Sequence, residues 1–213
     1  MIAIDGAAGS GKSTLARALA LELGLPYVNT GLMYRALALH AAREGVDPED
    51  GPALEALARS MRFDLDHTLD PPALRIDGRT PGDELTSSEV ESRVSRVARH
   101  PEVRAVLREE QRRLGEGGAV MEGRDIGTIV APDAPLKLFL EAHREERVER
   151  RAQEREAGAG AVAEALEARD ALDARTNPLV PAVDAVTIDT TDLEPEQTLA
   201  RALELARERG LAP

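Results

Sequence analysis

Cysteine is absent from the 213 residues, which excludes disulfides and thiol chemistry and suits a cytosolic protein. Lysine is nearly absent: Lys12 and Lys137 stand alone among 27 basic residues, so arginine carries the positive charge. A GC-rich genome produces the same arginine and alanine excess, so no arginine is informative by its type alone. No apolar run approaches the ~20 residues that span a bilayer. The first strand starts at Met1, leaving no room for a leader peptide, and a soluble cytoplasmic protein is expected. His40, His67, His100 and His143 are scattered, and no Ser-His-Asp set or metal cluster can be assembled from them. Internal repeats and low-complexity linkers are missing too, so the length fits one domain with appendages. Acidic residues number 39, giving a net charge of −12 and a pI of about 4.9. That balance argues against a broad nucleic-acid surface. An acidic protein that handles anions must still gather a few cations in one place.

One stretch shows where. Gly6-Ala7-Ala8-Gly9-Ser10-Gly11-Lys12-Ser13-Thr14 fits G-x-x-x-x-G-K-[ST] in full. Met1 to Asp5 before it reads as a buried strand, and Leu15, Leu19 and Leu23 after it recur at helical spacing up to Gly24 and Pro26. Strand, glycine loop and helix together make a polyphosphate site: backbone N–H groups converge on the phosphates and a helix N-terminus faces them. Lys12 then reaches the β- and γ-phosphates, and the Ser13 hydroxyl can bind Mg²⁺.

Tyr27-Val28-Asn29 reads as a second strand, with Thr30 as N-cap of a helix to about Glu44 closed by Gly45. Thr30, Tyr34 and Arg35 at that helix start suit an anion, and equally suit an ordinary capped helix with one exposed arginine. Asp47-Pro48-Glu49 opens another helix. Residues 62–66 and 73–77 then alternate, as a small antiparallel sheet inserted between helices. Thr86 to Glu89 caps a helix bearing Val90, Val94 and Val97, and Pro101 starts the next; Ser95 and Arg104 lie on their polar flanks and read as solvated surface.

Ala119 to Glu122 is a core strand that runs into Gly123-Arg124-Asp125-Ile126-Gly127-Thr128. Ligands of open parallel sheets bind at the carboxyl ends of strands, so Arg124 and Asp125 are site candidates, or an ion pair closing a turn. Residues 136–140 and 185–189 supply two further strands, and a last helix runs from Pro195 to about Arg209. Residues 144–155 form an arginine- and glutamate-rich helix, separated from a second helix at 162–175 by the small residues around 156–160. Much of the first is a salt-bridged exposed face, yet two such helices suit a lid over phosphates.

These residues together resemble the P-loop nucleoside monophosphate kinases, and more closely the bacterial cytidylate kinases. The resemblance implies an α/β, three-layer P-loop kinase fold with a five-stranded parallel sheet, a small inserted antiparallel sheet and a helical lid. It divides one domain into a core (1–29, 105–142, 176–213), an acceptor-binding region with the insert (30–104) and a lid (143–175). It implies transfer of the γ-phosphoryl group of ATP, with Mg²⁺, to CMP or dCMP. Thr30, Tyr34, Arg35 and Arg124 would surround the acceptor phosphate; Ser95, Arg104 and Asp125 would face cytosine; Arg169 and Asp173 would lie at the sugar. Arg150 and Arg151 correspond to lid arginines near the transferring group. In this family an arginine stands three residues beyond the counterpart of Asp173; here Arg175 comes one position early in a shortened segment. ATP and CMP or dCMP are the expected partners of a monomer, with no nucleic acid and no membrane. Kinases of UMP, AMP or shikimate are the nearest rivals, and a slow nucleotide-dependent switch is the rival from another class.

Overall fold

The computed structural model describes residues 1–155, 159–176 and 178–212; it does not describe side chains at 154, 155, 159, 161, 165, 169 and 173–176. The organising strand is β1 (Ile2–Gly6), all of it buried. Its alternate residues face opposite ways. Ala3 joins a core with Val28, Met33, Leu107 and Met121, while Ile2 and Ile4 join another with Leu15, Leu19, Leu138 and Leu205. A strand covered on both faces reads as a continuous apolar run, which is why Ile2-Ala3-Ile4 carries no polar alternation.

Parallel neighbours flank β1: β5 (Val120–Gly123) on one side and β6 (Leu136–Glu141) on the other. Beyond them lie β2 (Tyr27–Asn29) and β7 (Val186–Asp189), also parallel. The insert is not a separate sheet. Its strands β3 (Phe63–Asp66) and β4 (Ala73–Ile76) pair antiparallel, and β4 lies parallel to β2 through Tyr27 and Ala73, giving one sheet in the order β3-β4-β2-β5-β1-β6-β7. The edge of β2 carries unpaired backbone groups, and the insert supplies an acceptor for one: Tyr27 N donates to Pro72 O at 2.7 Å.

Helices α1 (Lys12–Leu23) and α8 (Pro195–Glu208) contribute to one core, and α2 (Thr30–Glu44), α3 (Gly51–Ser60), α4 (Ser88–Ala98) and α5 (Pro101–Gly115) to the other. Two starts differ from the sequence reading. Asn29, not Thr30, caps α2, its Oδ1 accepting from Leu32 N at 3.3 Å, because the Thr30 hydroxyl donates to Glu122 O at 2.8 Å. Helix α3 starts at Gly51 because Asp47 accepts from Glu49 N in a local turn, leaving Asp50 as the cap. Helices α6 (Arg144–Arg155) and α7 (Ala159–Thr176) pack together across the carboxyl edge of the sheet; residues 156–158 of the expected break lie outside the described residues. No helix among the described residues is long and apolar enough to cross a membrane.

Candidate active site

The glycine loop leaves β1 and turns into α1. Gly9 and Gly11 take φ of 78° and 84°, left-handed values that cost other residues about 1 kcal/mol or more. Ser10 Oγ donates to Ala7 O at 2.9 Å, and Lys12 Nζ donates to the same carbonyl at 2.6 Å. The loop is therefore braced from within, with Lys12 folded back over it.

Two cavities meet at this loop and share Gly9. One, of about 170 Å³, is lined by Lys12, Arg35, Arg124 and Arg151, and also by Thr30, Tyr34, Ser95, Arg104 and Asp125. The other, of about 540 Å³, lies along Gly11, Thr14, Arg150, Thr190 and Pro195. Side chains from β5, α1, α2, α4, α5 and α6 thus converge on the first cavity. Ser95 and Arg104, which the sequence places on solvated flanks, both face it; Arg104 is 9% exposed. Ser13 is exposed at the start of α1 and lines neither cavity. The side chains of Arg169, Asp173 and Arg175 lie outside the described residues.

The cations are held by specific partners. Arg35 is buried; its Nη1 donates to Leu85 O at 3.1 Å and its Nη2 to Glu91 Oε1 at 2.6 Å. Arg151 meets the same oxygen of Glu91 at 3.4 Å, so one carboxylate ties α2 to α6. Arg150 turns the other way, donating to the Thr190 hydroxyl (3.1 Å) and carbonyl (2.6 Å), with Glu146 on its Nε at 2.7 Å. The Thr190 hydroxyl in turn donates toward Ser10 O at 3.1 Å and Glu141 O at 3.0 Å, fixing the loop to the end of β6. Asp125 Oδ2 accepts from Arg104 at 3.1 Å and from Arg108 at 2.5 Å.

Several residues escape sequence reading. Asp5, at the end of β1, accepts from Ile126 N and Gly127 N, both at 2.8 Å, and so anchors the π-helical turn (Ile126–Val130) that follows Arg124 and Asp125. Burial pushes its carboxyl up to about 6, against the lowering effect of those two amides. Arg147 donates to Ala8 O at 3.2 Å and pairs with Asp170 at 2.8 Å, while Ala8 packs with Val162 and Leu166. Helices α6 and α7 are therefore seated on the glycine loop itself. Glu122 Oε1 accepts from the Tyr27 hydroxyl at 2.7 Å, and burial with this carboxylate pushes that phenol up. Burial likewise pushes Tyr34 up to about 12, so the cavity wall there is a neutral phenol. An aspartate in an apolar strand or one arginine among many gives no signal in sequence; only the contacts select them.

A parallel sheet whose first strand ends in this loop, with cations on both sides, defines a P-loop phosphotransferase. Residues 2–208 match the cytidylate kinase family model, and the chain belongs to that family. A cytidylate kinase of Desulfitobacterium hafniense (strain Y51) is 44% identical over 218 residues, 98% of this chain and 93% of that protein. Another, from Roseiflexus castenholzii (strain DSM 13941 / HLO8), is 46% identical over 215 residues, 94% and 90% of the two chains. A bifunctional pantoate ligase/cytidylate kinase of Synechococcus sp. (strain WH7803) is 46% identical over 219 residues; the match covers 98% of this chain but 45% of that protein, about half its length.

Proposed function

We propose that the protein transfers the γ-phosphoryl group of ATP to CMP or dCMP, giving CDP or dCDP and ADP, in pyrimidine nucleotide metabolism. The observation that carries this reading is the pair of cavities meeting at Gly9, one cation-rich with a polar far wall, the other along α1 and Thr190. ATP takes the second, its phosphates cradled by residues 6–14, and the monophosphate takes the first.

An acceptor phosphate oxygen is already ionised, so the reaction needs no general base; it needs alignment and charge neutralisation. The two nucleotides carry about six negative charges near neutral pH. Lys12 and the guanidinium groups of Arg35, Arg124 and Arg151 answer those charges at the acceptor side, and Arg150 answers them on the donor side. Thr30 and Tyr34 complete the acceptor-phosphate surroundings. Arg169, Asp173 and Arg175 act at the sugar and at the phosphates.

Mg²⁺ accompanies ATP. The Ser13 hydroxyl would hold it, and the ion would supply positive charge against the phosphates. The buried Glu122 carboxylate, oriented by Tyr27, is an acceptor for waters on such an ion.

Cytosine offers an amine donor beside two acceptors, and uracil reverses the pattern at two of these atoms. Asp125 accepts from the amine, while Arg104 and Ser95 donate to the acceptors. Residues 30–104 and 143–175 move against the core (1–29, 105–142, 176–213) to close over both nucleotides. The enzyme works as a monomer in the cytoplasm, with nucleotides as its partners and no nucleic acid or membrane. A coupled ADP-release assay across CMP, dCMP, UMP and AMP tests the reading: CMP and dCMP give fast turnover. Slow ATP hydrolysis indifferent to added CMP sinks it in favour of a switch.

A further inference from the structure

Asp125 has two arginine partners, and the one nearer to it does not line the cavity. Arg104 and Arg108 lie four residues apart on α5 and so project from one side of the helix. Both donate to the same oxygen, Oδ2, at 3.1 and 2.5 Å. Arg104 and Asp125 line the acceptor cavity; Arg108 does not. Its Nε is buried without a hydrogen-bond partner. Leaving a buried guanidinium donor unpaired costs stability, and an apolar side chain of similar volume would pack there at lower cost. A role in holding the fold therefore explains this arginine poorly.

Its effect on Asp125 explains it well. A lone arginine and carboxylate settle into a bidentate pair that engages both oxygens and two N–H groups of the fork. Here Arg108 shares Oδ2, and Arg104 meets the carboxylate through one nitrogen only. Oδ1 accepts from no described residue, and the remaining donors of Arg104 are free to meet a ligand. Cytosine requires that division of labour, with an acceptor for its amine and separate donors for its ring nitrogen and carbonyl.

We infer that Arg108 is a specificity-determining positioning residue: it holds Asp125 so that Oδ1 faces the acceptor base and Arg104 stays available to read it. This rests on the proposed CMP kinase reading and deepens it. Without Arg108, Asp125 and Arg104 neutralise each other as a bidentate pair, and neither edge of the base is read.

The test measures kcat and KM for CMP and UMP with ATP, affinities for both monophosphates by calorimetry, and thermal midpoints, for the full chain and for Arg108→Met, Arg108→Gln and Arg108→Lys. A well-placed polar contact to a base edge discriminates by roughly 10- to 100-fold. Arg108→Met is therefore expected to lower the CMP-to-UMP ratio of kcat/KM at least tenfold, through a higher KM for CMP with kcat kept within about threefold. Arg108→Lys, which keeps a cation behind Oδ2, is expected to retain most of the ratio. Arg108→Gln reads the same ratio should the methionine variant not fold, and the affinities replace the rates should UMP turn over too slowly. An unchanged ratio in a folded variant, or an equal loss for both monophosphates, overturns the inference. A wild-type enzyme that does not phosphorylate CMP overturns the functional reading instead.

Discussion

Gly9→Ala separates the seating of α6 on the phosphate loop from that loop's own stability. Two effects follow from one added methyl. Gly9 has φ of 78°, so alanine there pays a left-handed penalty of about 1–2 kcal/mol. The new Cβ also lies 2.8 Å from the carbonyl oxygen of Arg147, 3.1 Å from its Cβ and 3.2 Å from its Cα. These atoms belong to the backbone and root of α6, and no rotamer moves them away. Restoring an ordinary contact of about 3.4 Å pushes the helix outward by about 0.6 Å. That displacement stretches the Arg147–Ala8 hydrogen bond, now 3.2 Å, and carries Arg150 and Arg151 with it. Misplacement of catalytic groups by about 1 Å costs up to about 10²-fold, so kcat is expected to fall about 10- to 100-fold. The thermal midpoint should drop by only about 2–8 °C, the cost of the backbone strain alone in a chain of this size, because an outward α6 relieves the clash. Coupled kinetics and a thermal scan on the same preparation measure both. A turnover within threefold of wild type would refute the reasoning, since it would mean that α6 need not seat on Gly9 during catalysis.

Arg124→Ala should lower kcat by roughly 10³-fold or more with the thermal midpoint intact, as for arginines acting on a transferring phosphoryl group; a loss below tenfold removes Arg124 from the phosphate site. Glu91→Gln releases Arg35 and Arg151 from their shared oxygen; a loss of about 1 kcal/mol raises the CMP KM about fivefold with the ATP KM unchanged, in steady-state kinetics at low salt. Asp5→Asn tests the buried carboxylate through pH. Its folded value of about 6 lies above the ordinary 3.8, so the protonated form stabilises the fold: that contribution is complete below about pH 4 and is lost as pH rises through about 6. It amounts to about 3 kcal/mol, and the wild-type midpoint relative to that of Asp5→Asn should be highest near pH 4 and fall toward pH 7. A gap independent of pH between 4 and 7 would show that Asp5 does not titrate there.

The chain alone determined most of the local elements and the glycine loop. The loop from Gly6 to Thr14, the apolar runs on either side of it and the Gly24 and Gly45 helix ends are short-range features, set by sterics and periodicity within a few residues. The family likewise shows in the order of motifs along the chain. Tertiary contacts decided the rest. Whether residues 62–77 form their own sheet or extend the main one depends on the unpaired edge of β2, about forty residues away in sequence. Which arginines matter depends on where their helices dock. Arg104 and Arg108 look alike on the surface of α5, yet one lines a cavity and the other backs Asp125. Asp5 reads as part of a strand until its oxygens meet the amides of Ile126 and Gly127 across the sheet. Charge in a sequence has sign and number but no direction; only packing aims it.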